Sequence, residues 1–241
     1  MSPDTRTHRG AHPADAKLFK ADQLPKLRRA VTELSWLLSR GYQLTSSLKL
    51  VGDRYGLRER QRLAISRSSC AEQDKERRKE HCISVQGLRN ESIIIDGFNL
   101  IITIEAALGN GPLLIGVDNC IRDLSSVHGS YRSVEETERA ICMVGEALQD
   151  LSAASVVWLL DRPVSNSGRL AAKIADIARR REWPWQVDVV FNPDSLIKTS
   201  RAVAITSDSA ILDEVERWSD LKSYLLAEQI PGAWLIDLSG S

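Results

Sequence analysis

The chain has 241 residues, which is longer than a typical single domain and predicts one sizeable domain with a smaller attachment. It contains 32 Lys and Arg against 32 Asp and Glu, and 43% of its residues are hydrophobic. Its four cysteines are spread out without a Cys-x-x-Cys pair, so neither a disulfide framework nor a structural zinc site is indicated. No apolar run approaches the roughly 18 residues of a membrane span, and the polar, basic start lacks the apolar stretch of a signal peptide, so we expect a cytoplasmic protein with no membrane partner.

The zero net charge conceals an asymmetry along the chain. Residues 1–90 hold 19 Lys and Arg against 10 Asp and Glu, whereas residues 91–241 hold 13 against 22. A basic attachment that binds a polyanion and an acidic part that holds metal are combined in nucleic-acid enzymes. Electrostatic docking of the two parts on each other would explain the same asymmetry, and both explanations stay open at this point.

The N-terminal third predicts a flexible leader over residues 1–20 and a basic helical domain over residues 21–85. Apolar positions follow helical spacing from about residue 22 to Gly41, and two shorter helices follow. Two short helices joined near a glycine suggest a helix-turn-helix, although an ordinary hairpin with a solvated basic face is favoured. In the former case the phosphate contacts would be Arg58, Arg60, Arg62 and Arg67.

The remainder, residues 90–241, alternates short apolar runs with helix-like segments. This pattern predicts an α/β fold, in which helices sandwich a parallel sheet. The predicted helices are 100–108, 134–151, 169–182 and 209–218. The predicted strands are 93–95, 113–117, 156–160, 187–191 and 202–205, with a late edge strand at 233–238.

Five of the apolar runs lead to an aspartate. Open parallel sheets bind their ligands beyond the carboxyl ends of the strands, so these carboxylates would converge on one crevice. Like charges that close together resist ionising unless a cation joins them. The sequence therefore predicts a divalent metal site, with Mg²⁺ or Mn²⁺ on some or all of Asp96, Asp118, Asp161, Asp194 and Asp208.

Two of these aspartates lie in short motifs that helix capping would also explain. In Asp-Gly-Phe-Asn, Asp96 supplies a carboxylate that could bind a hydrated hard cation. Asn99 supplies an amide one turn later that could contact water or substrate. An Asp-Gly turn with a helix cap would give the same sequence. Asp208 lies between two serines, so helix capping competes with metal binding there as well.

Several residues near the strand ends are candidates for holding a substrate phosphate. Ser165 and Ser167 belong to a Ser-Asn-Ser-Gly stretch at a predicted helix N-terminus, where hydroxyl and N–H groups bind anions, although a capping loop explains them equally well. Arg122 and Arg162 follow two of the aspartates and could hold a phosphate, with salt bridging as the alternative. The Gly-rich motifs of dinucleotide and P-loop binding are absent from the sequence.

Four segments together resemble the PIN-like nuclease superfamily, including its NYN branch: 94–99, 159–161, 191–194 and 204–208. Proteins of that group fold as a parallel α/β sandwich whose strand-end acids bind Mg²⁺ or Mn²⁺ and cleave RNA or DNA. The resemblance implies metal ligands at Asp96, Asp161 and Asp208, with Asp194 as a fourth. Many members add an acid on the helix before the third strand, and the candidates here are Glu135, Glu138 and Glu146.

A second resemblance is to the uncharacterised prokaryotic family number 434 of the domains of unknown function. It is carried by segments 36–42 and 161–168 and by the Thr-Ser-Asp motif that ends at Asp208, and it spans nearly the whole chain.

Together these features lead to the hypothesis of a metal-dependent, endoribonuclease-like phosphodiesterase that prefers RNA to DNA. Asp96, Asp161 and Asp208 would hold the ions, and Asn99 would position water or substrate. One alternative is an RNA- or nucleotide-binding module of the same fold that no longer cleaves. Another is a phosphatase that uses the same metals on small substrates.

Overall fold

A computed structural model describes residues 7–125 and 129–240. The helices there are α1 (Asp15–Leu18), α2 (Leu24–Leu38), α3 (Leu44–Arg54), α4 (Glu59–Ser68), α5 (Glu72–His81), α6 (Gly97–Leu108), α7 (Thr137–Asp150), α8 (Ser167–Arg180), α9 (Pro193–Thr199), α10 (Ser209–Leu212) and α11 (Leu221–Gln229). The strands are β1 (Cys82–Ile83), β2 (Ser92–Asp96), β3 (Leu113–Ile115), β4 (Ile121–Asp123), β5 (Ser155–Asp161), β6 (Trp185–Val190), β7 (Val203–Ile205), β8 (Trp218–Ser219) and β9 (Leu235–Asp237). Among these helices, none combines the length and the apolar character that crossing a membrane requires.

Six parallel strands form the central sheet in the order β1-β8-β7-β2-β5-β6. All three isoleucines of β2 are buried, because helices cover both faces of the sheet. Ile93 and Ile95 pack in one core with α6, α7 and α8, whereas Ile94 packs on the other face with α9 and α10. The predicted parallel sheet flanked by helices, preceded by an all-helical region, is therefore confirmed.

The order of the strands creates a crevice beside β2. The chain runs from β2 through β5 to β6 on one side of the sheet, and then returns to β7 on the other side of β2. Such a reversal is a topological switch point, and open α/β sheets bind ligands there at the carboxyl ends of the strands. The topology alone therefore predicts a ligand site at the carboxyl ends of β2, β5 and β7.

The strand predicted at 113–117 does not join the central sheet. It forms β3, which pairs antiparallel with β4 and parallel with β9 in a separate three-stranded sheet. Only residues 116–120 connect β3 to β4, and so short a connection permits a hairpin but not a parallel crossover. The predicted late edge strand is β9 and belongs to the same small sheet, so the five aspartates do not all lie at one sheet edge.

The N-terminal helices pack against this small sheet. Leu27 and Val31 of α2 and Ile65 of α4 share a core with Leu114 of β3 and Ile236 of β9. The helical region is therefore continuous with the rest of the protein through that core.

Residues 7–20 differ from the flexible leader that the sequence predicts, whose residues 1–6 lie outside the described residues. Arg9 and Asp15 are buried and form ion pairs with Glu105 and Arg60 respectively. Phe19 is buried in the core of the N-terminal helices. Two of the charges in this segment are thus neutralised by partners far away in the sequence.

The C-terminal part also differs from the predicted pattern. The helix predicted at 209–218 ends at Leu212, and Trp218 begins β8, where its indole N–H donates to the Arg78 carbonyl at 2.7 Å. Neither α9 nor α11 is predicted. α9 has seven residues, which is too short for a clear helical periodicity, and the apolar stripe of α11 is interrupted by a buried lysine.

Candidate functional site

A cavity of about 580 Å³ opens at the carboxyl ends of β2, β5 and β7. Four of the five predicted aspartates line it: Asp96 ends β2, Asp161 ends β5, Asp208 follows β7, and Asp194 lies in the first turn of α9. Asp123 of β4 also lines the cavity, as do Leu44, Ser66 and Arg67 from the helical region. Four of the predicted aspartates thus line one cavity at the switch point together with Asp123.

Both carboxylate oxygens of Asp96 accept hydrogen bonds. Oδ1 accepts from the backbone N–H of Asn99 at 3.4 Å and so caps α6, while Oδ2 accepts from Thr206 Oγ1 at 2.9 Å. Burial raises the pKa of the Asp96 carboxyl to about 6, although the Thr206 hydrogen bond and the positive charge of Lys222 lower it. The capping alternative is therefore real, and it coexists with a carboxyl whose ionisation a cation would favour.

The aspartates of the cavity also act on one another. Burial raises the pKa of Asp194, and the charges of Asp208 and Asp161 raise it further. The charge of Asp208 raises the pKa of Asp96 in the same way. The charge of Asp208 therefore affects both Asp96 at the end of β2 and Asp194 on α9, and the charge of Asp161 at the end of β5 affects Asp194.

Asp161 and Asp208 keep carboxylate oxygens that are free to bind a ligand. Asp208 Oδ1 caps α10 by accepting from the backbone N–H groups of Ala210 at 2.8 Å and Ile211 at 3.3 Å, but Oδ2 accepts no hydrogen bond from a described residue. The Asp161 carboxylate accepts none from any residue within 7–125 and 129–240. These two side chains can therefore bind a cation without losing a bond that the fold uses.

The donor set suits a hydrated hard cation better than a closed cage. Across the described ranges, no three His, Cys, Asp or Glu side chains are grouped closely enough to hold an ion as they stand. Mg²⁺ usually keeps several waters and binds through one or two carboxylates, and Mn²⁺ likewise prefers oxygen ligands. One or two of the carboxylates that line the cavity could hold such an ion.

Asn99 lines the same cavity, and its amide has a fixed orientation. Oδ1 accepts from the Ser207 backbone N–H at 2.8 Å and from Lys222 Nζ. Since both groups can only donate, the carbonyl oxygen must face them and the NH₂ group must face away. That NH₂ group has no acceptor among the described residues, so it is an available donor close to Asp96.

Lys222, which the sequence reasoning missed, holds this arrangement together. The side chain is 2% exposed, and besides Asn99 its Nζ contacts Ser207 Oγ at 2.6 Å and Thr103 Oγ1 at 3.4 Å. Burial lowers the pKa of the ammonium to about 8, although nearby carboxylates, first that of Asp123, raise it. Lys222 is thus a buried positive charge whose direct partners are all neutral oxygen atoms, so removing that charge should change the electrostatics of the site.

A signal for Lys222 is present in the sequence. Three and four residues beyond it lie Leu225 and Leu226, both buried, so Lys222 shares their face of α11. A helical projection of 221–229 would therefore have placed a lysine on the apolar face.

Replacing Lys222 with methionine is expected to raise the pKa of the Asp96 carboxyl above its value of about 6. The rise should be roughly one pH unit, because a positive charge that favours the ionised form is lost. Carbon-13 NMR titration of the aspartate carboxyl carbons measures the midpoint, with Asp96→Asn identifying the resonance. Lys17→Met removes an exposed ammonium from α1 and should leave the midpoint unchanged. An unmoved midpoint in Lys222→Met would show that the ammonium does not act on Asp96.

Asp118 and Arg122, both predicted site residues, form a salt bridge with each other. Arg122 Nη1 and Nη2 donate to the two carboxylate oxygens of Asp118 at 2.9 and 2.7 Å, and Arg78 Nη1 donates to Asp118 Oδ2. Burial would raise the pKa of Asp118, but the charges of Arg122 and Arg78 outweigh it and hold the pKa at about 2. Asp118 does not line the cavity, so the structure does not bring it to the predicted metal site.

Arg122 does line the cavity, but its donors are used within the fold. In addition to Asp118, it donates through Nε to the Ser207 carbonyl at 2.7 Å and through Nη1 to the Arg67 carbonyl at 3.1 Å. The salt-bridge alternative therefore describes Arg122 better than a free phosphate ligand. Its hydrogen bond to Ser207 braces the loop that carries Asp208.

The predicted anion-binding stretch lies beside the cavity. Val164 lines the cavity, whereas Ser165 and Ser167 do not. Ser167 is buried at the start of α8, and the backbone of Ser165 bonds to Gly129 and Tyr131. The structure therefore places neither serine in the cavity lining, and α8 begins behind Asn166 without a side-chain capping hydrogen bond among the described residues.

The helix-borne acid that the family resemblance implies is not found at the cavity. Each of the three candidates lies outside the lining and contacts a basic side chain elsewhere on the surface: Glu135 with His8, Glu138 with Arg180, and Glu146 with Arg181. Asp123 occupies the cavity instead, and its Oδ2 accepts from Thr103 Oγ1 at 2.9 Å. It comes from the small sheet rather than from a helix.

The arginines predicted as phosphate contacts of a helix-turn-helix are largely engaged within the protein. Arg60 pairs with Asp15, Arg62 with Asp53, and Arg67 donates to the Asp123 backbone carbonyl. These contacts agree with the hairpin alternative. Ion pairs of Arg9 with Glu105, Arg67 with Asp123 and Arg78 with Asp118 neutralise part of the charge asymmetry between residues 1–90 and the rest of the chain.

Comparison with known proteins assigns the chain to a family but gives no activity. A family model described as Domain of unknown function (DUF5616) matches residues 85–224, and one described as Protein of unknown function (DUF434) matches residues 26–81. An uncharacterized protein of Methanocaldococcus jannaschii is 31% identical over 186 residues, which cover 77% of this chain and 88% of that protein. No solved structure matches. The predicted resemblance to family 434 is confirmed for the N-terminal helices, and the chain as a whole belongs to the family described as Domain of unknown function (DUF5616).

Proposed function

We propose that this protein is a divalent-metal-dependent phosphodiesterase of the PIN-like type that cleaves nucleic acid, RNA in preference to DNA. The observation that carries the proposal is the meeting of Asp96, Asp161, Asp194 and Asp208, from four separate elements, around one cavity at the switch point of a parallel sheet. Helix capping accounts for one oxygen of Asp96 and one of Asp208 but not for the Asp161 carboxylate, and like charges brought together destabilise a fold that binds no cation. An Mg²⁺ or Mn²⁺ ion would offset that repulsion.

The residues of the cavity divide the work of phosphodiester hydrolysis between them. Asp161 and Asp208, with their unoccupied carboxylate oxygens, would be the direct ligands, and Asp96 and Asp194 would bind through water. A bound ion supplies Lewis acidity toward water and toward the phosphate oxygens. The NH₂ group of Asn99, held by Lys222 and Ser207, would donate to a phosphate oxygen and orient the phosphate.

The wall contributed by the helical region supports a polymeric substrate. Leu44, Ser66 and Arg67 line the cavity together with the strand-end residues, so a ligand there would contact both parts of the chain. A volume of about 580 Å³ is more than an isolated phosphate group requires and suits one nucleotide unit of a longer strand.

A binding module without cleavage is the second candidate, and one observation favours it. In the described part of the chain no three potential ligands are close enough to enclose an ion as they stand. A protein that retained the acids but not the geometry of catalysis would show the same picture.

Incubation of the purified protein with end-labelled single-stranded RNA separates the two candidates. We expect cleavage with Mg²⁺ or Mn²⁺ and none after EDTA, with a matched single-stranded DNA cleaved more slowly. RNA binding without cleavage in either metal would support the binding module. Turnover of mononucleotides without cleavage of the polymers would instead indicate a phosphatase.

A further inference from the structure

An exposed aromatic ring and an arginine lie together beside the acidic cavity. In the register of β5 and β6, Asp161 lies opposite Val190, so Arg162 and Phe191 follow as neighbours where the two strands end. The Arg162 guanidinium lies over the Phe191 ring, 4.9 Å from its centroid, and Phe191 is 67% exposed. Neither Arg162 nor Phe191 lines the cavity, but Asp161 precedes Arg162 and Asp194 follows Phe191 by three residues, so the pair adjoins two lining residues along the chain.

The backbone of β6 holds Arg162 in place. Its N–H donates to the Val190 carbonyl at 2.8 Å, and its Nη2 donates to the Val189 carbonyl at 3.3 Å. No carboxylate of a described residue lies within ion-pair distance of its guanidinium, so its positive charge is not neutralised. This differs from Arg60, Arg62 and Arg122, which are all salt-bridged.

The cavity itself offers little attraction to a polyanion. Five aspartates line it, and its two arginines, Arg67 and Arg122, are engaged with groups of the protein. Until cations bind, the phosphates of a nucleic acid are therefore repelled there. Affinity must come from neighbouring groups that act on the bases, which carry no charge.

We propose that Phe191 and Arg162 form a stacking platform for a nucleobase of single-stranded RNA whose backbone enters the cavity. The inference rests on the proposed function and names the strandedness of its substrate. Unpaired bases stack on aromatic rings and on guanidinium planes, and this stacking is tolerant of sequence because every base has a π face. The bases of a duplex are already stacked on each other, so the platform selects single strands.

A matched control exists elsewhere in the chain. Trp36 of α2 is 53% exposed and has Arg40 over its ring at 3.6 Å, so it repeats the chemistry of the platform, but no residue within three positions of Trp36 lines the cavity. Single exposed apolar residues are common on protein surfaces and need no function. Position beside the cavity, rather than chemistry alone, is what distinguishes Phe191 from Trp36.

The test measures binding of the full chain to a fluorescently labelled single-stranded RNA of about ten nucleotides by anisotropy, with Ca²⁺ in place of Mn²⁺ to limit cleavage. Electrophoresis under denaturing conditions after the titration checks that the RNA is intact. Phe191→Leu and Phe191→Ala should each weaken binding by roughly tenfold, and Phe191→Tyr should bind like the wild type. Trp36→Ala should bind like the wild type as well.

An oligomer of the same length without bases identifies stacking as the cause. Phe191→Ala and the wild-type protein should bind this abasic strand equally, because no base is present to stack. The platform is overturned if Phe191→Ala binds RNA within twofold of the wild type, if its defect is as large on the abasic strand, or if the wild type binds no single-stranded RNA. These readouts do not depend on cleavage, so an inactive but stacking protein would refute the nuclease proposal alone.

Discussion

Replacing Asp161 with asparagine is expected to lower the rate of metal-dependent RNA cleavage by at least about 100-fold while leaving the fold intact. Loss of an outer partner of a metal ligand already costs 10- to 100-fold, and Asp161 is proposed as a direct ligand. Its carboxylate accepts no hydrogen bond from the described residues, in contrast to Asp96, which holds Thr206, and Asp208, which caps α10. Asp161 therefore separates chemistry from stability better than the other acids do.

Two measurements on Asp161→Asn make the result specific. Isothermal titration with Mn²⁺ should show weaker binding, and urea unfolding should show a stability equal to or slightly above that of the wild type, because repulsion with Asp194 is relieved. Asp150→Asn changes an exposed aspartate at the end of α7, away from the cavity, and should alter neither the rate nor the affinity. Unchanged cleavage by Asp161→Asn would remove this residue from the site, and unchanged Mn²⁺ affinity would remove it from metal binding.

Four of the six strands of the central sheet, β2, β5, β6 and β7, could be predicted from the sequence because they are short apolar runs followed by a polar residue, whereas β1 and β8 have only two residues each. Ile93 to Ile95 and Val156 to Leu160 have this pattern, and so does the run before Asp208. Where such a strand lies in a parallel sheet, the position of its final aspartate follows from the topology. Asp96, Asp161 and Asp208 were accordingly predicted at the place where the structure has them.

The position of Asp118 could not be predicted in the same way. The run before it is as apolar as the others, but the sequence does not say which sheet a strand joins, and β3 pairs with β4 in the small sheet. The main partners of the Asp118 carboxylate are Arg122, four residues away, and Arg78, which is 40 residues away on α5. A local pattern cannot reveal a partner at that distance.

Lys222 and Arg9 were missed for a related reason. Both are charged residues that a sequence reading assigns to solvent, and both are buried because distant residues satisfy them. Lys222 reaches Asn99 across 123 residues, and Arg9 reaches Glu105 across 96. Burial of a charge depends on such pairing, which is a property of the fold.

Replacing Arg9 with methionine is expected to lower the free energy of unfolding by about 3–5 kcal/mol, the cost of leaving a buried charge without its partner. Arg9 Nε donates to Glu105 Oε2 at 2.6 Å, and the Glu105 side chain is fully buried. The segment is also closely packed, since a Cβ on Gly111 would lie 3.0 Å from the Arg9 carbonyl oxygen. Urea unfolding at pH 7 measures the loss, and Arg179→Met, which breaks an exposed pair with Asp176, should cost far less, because exposed ion pairs contribute little.

The loss in Arg9→Met should depend on pH in a direction that the burial of Glu105 fixes. Burial raises the pKa of the Glu105 carboxyl, and the charge of Arg9 lowers it, so the variant should have a still higher pKa in the folded state. A folded-state pKa above the unfolded one means that the native state binds more protons, so stability falls as pH rises through that interval. The destabilisation should therefore be larger at pH 8 than at pH 5, and Arg9→Met/Glu105→Gln should recover much of it, because the glutamine carries no charge to bury. A loss that is equal at both pH values, or one that the second substitution deepens, would mean that Arg9 stabilises the protein by packing rather than by neutralising Glu105.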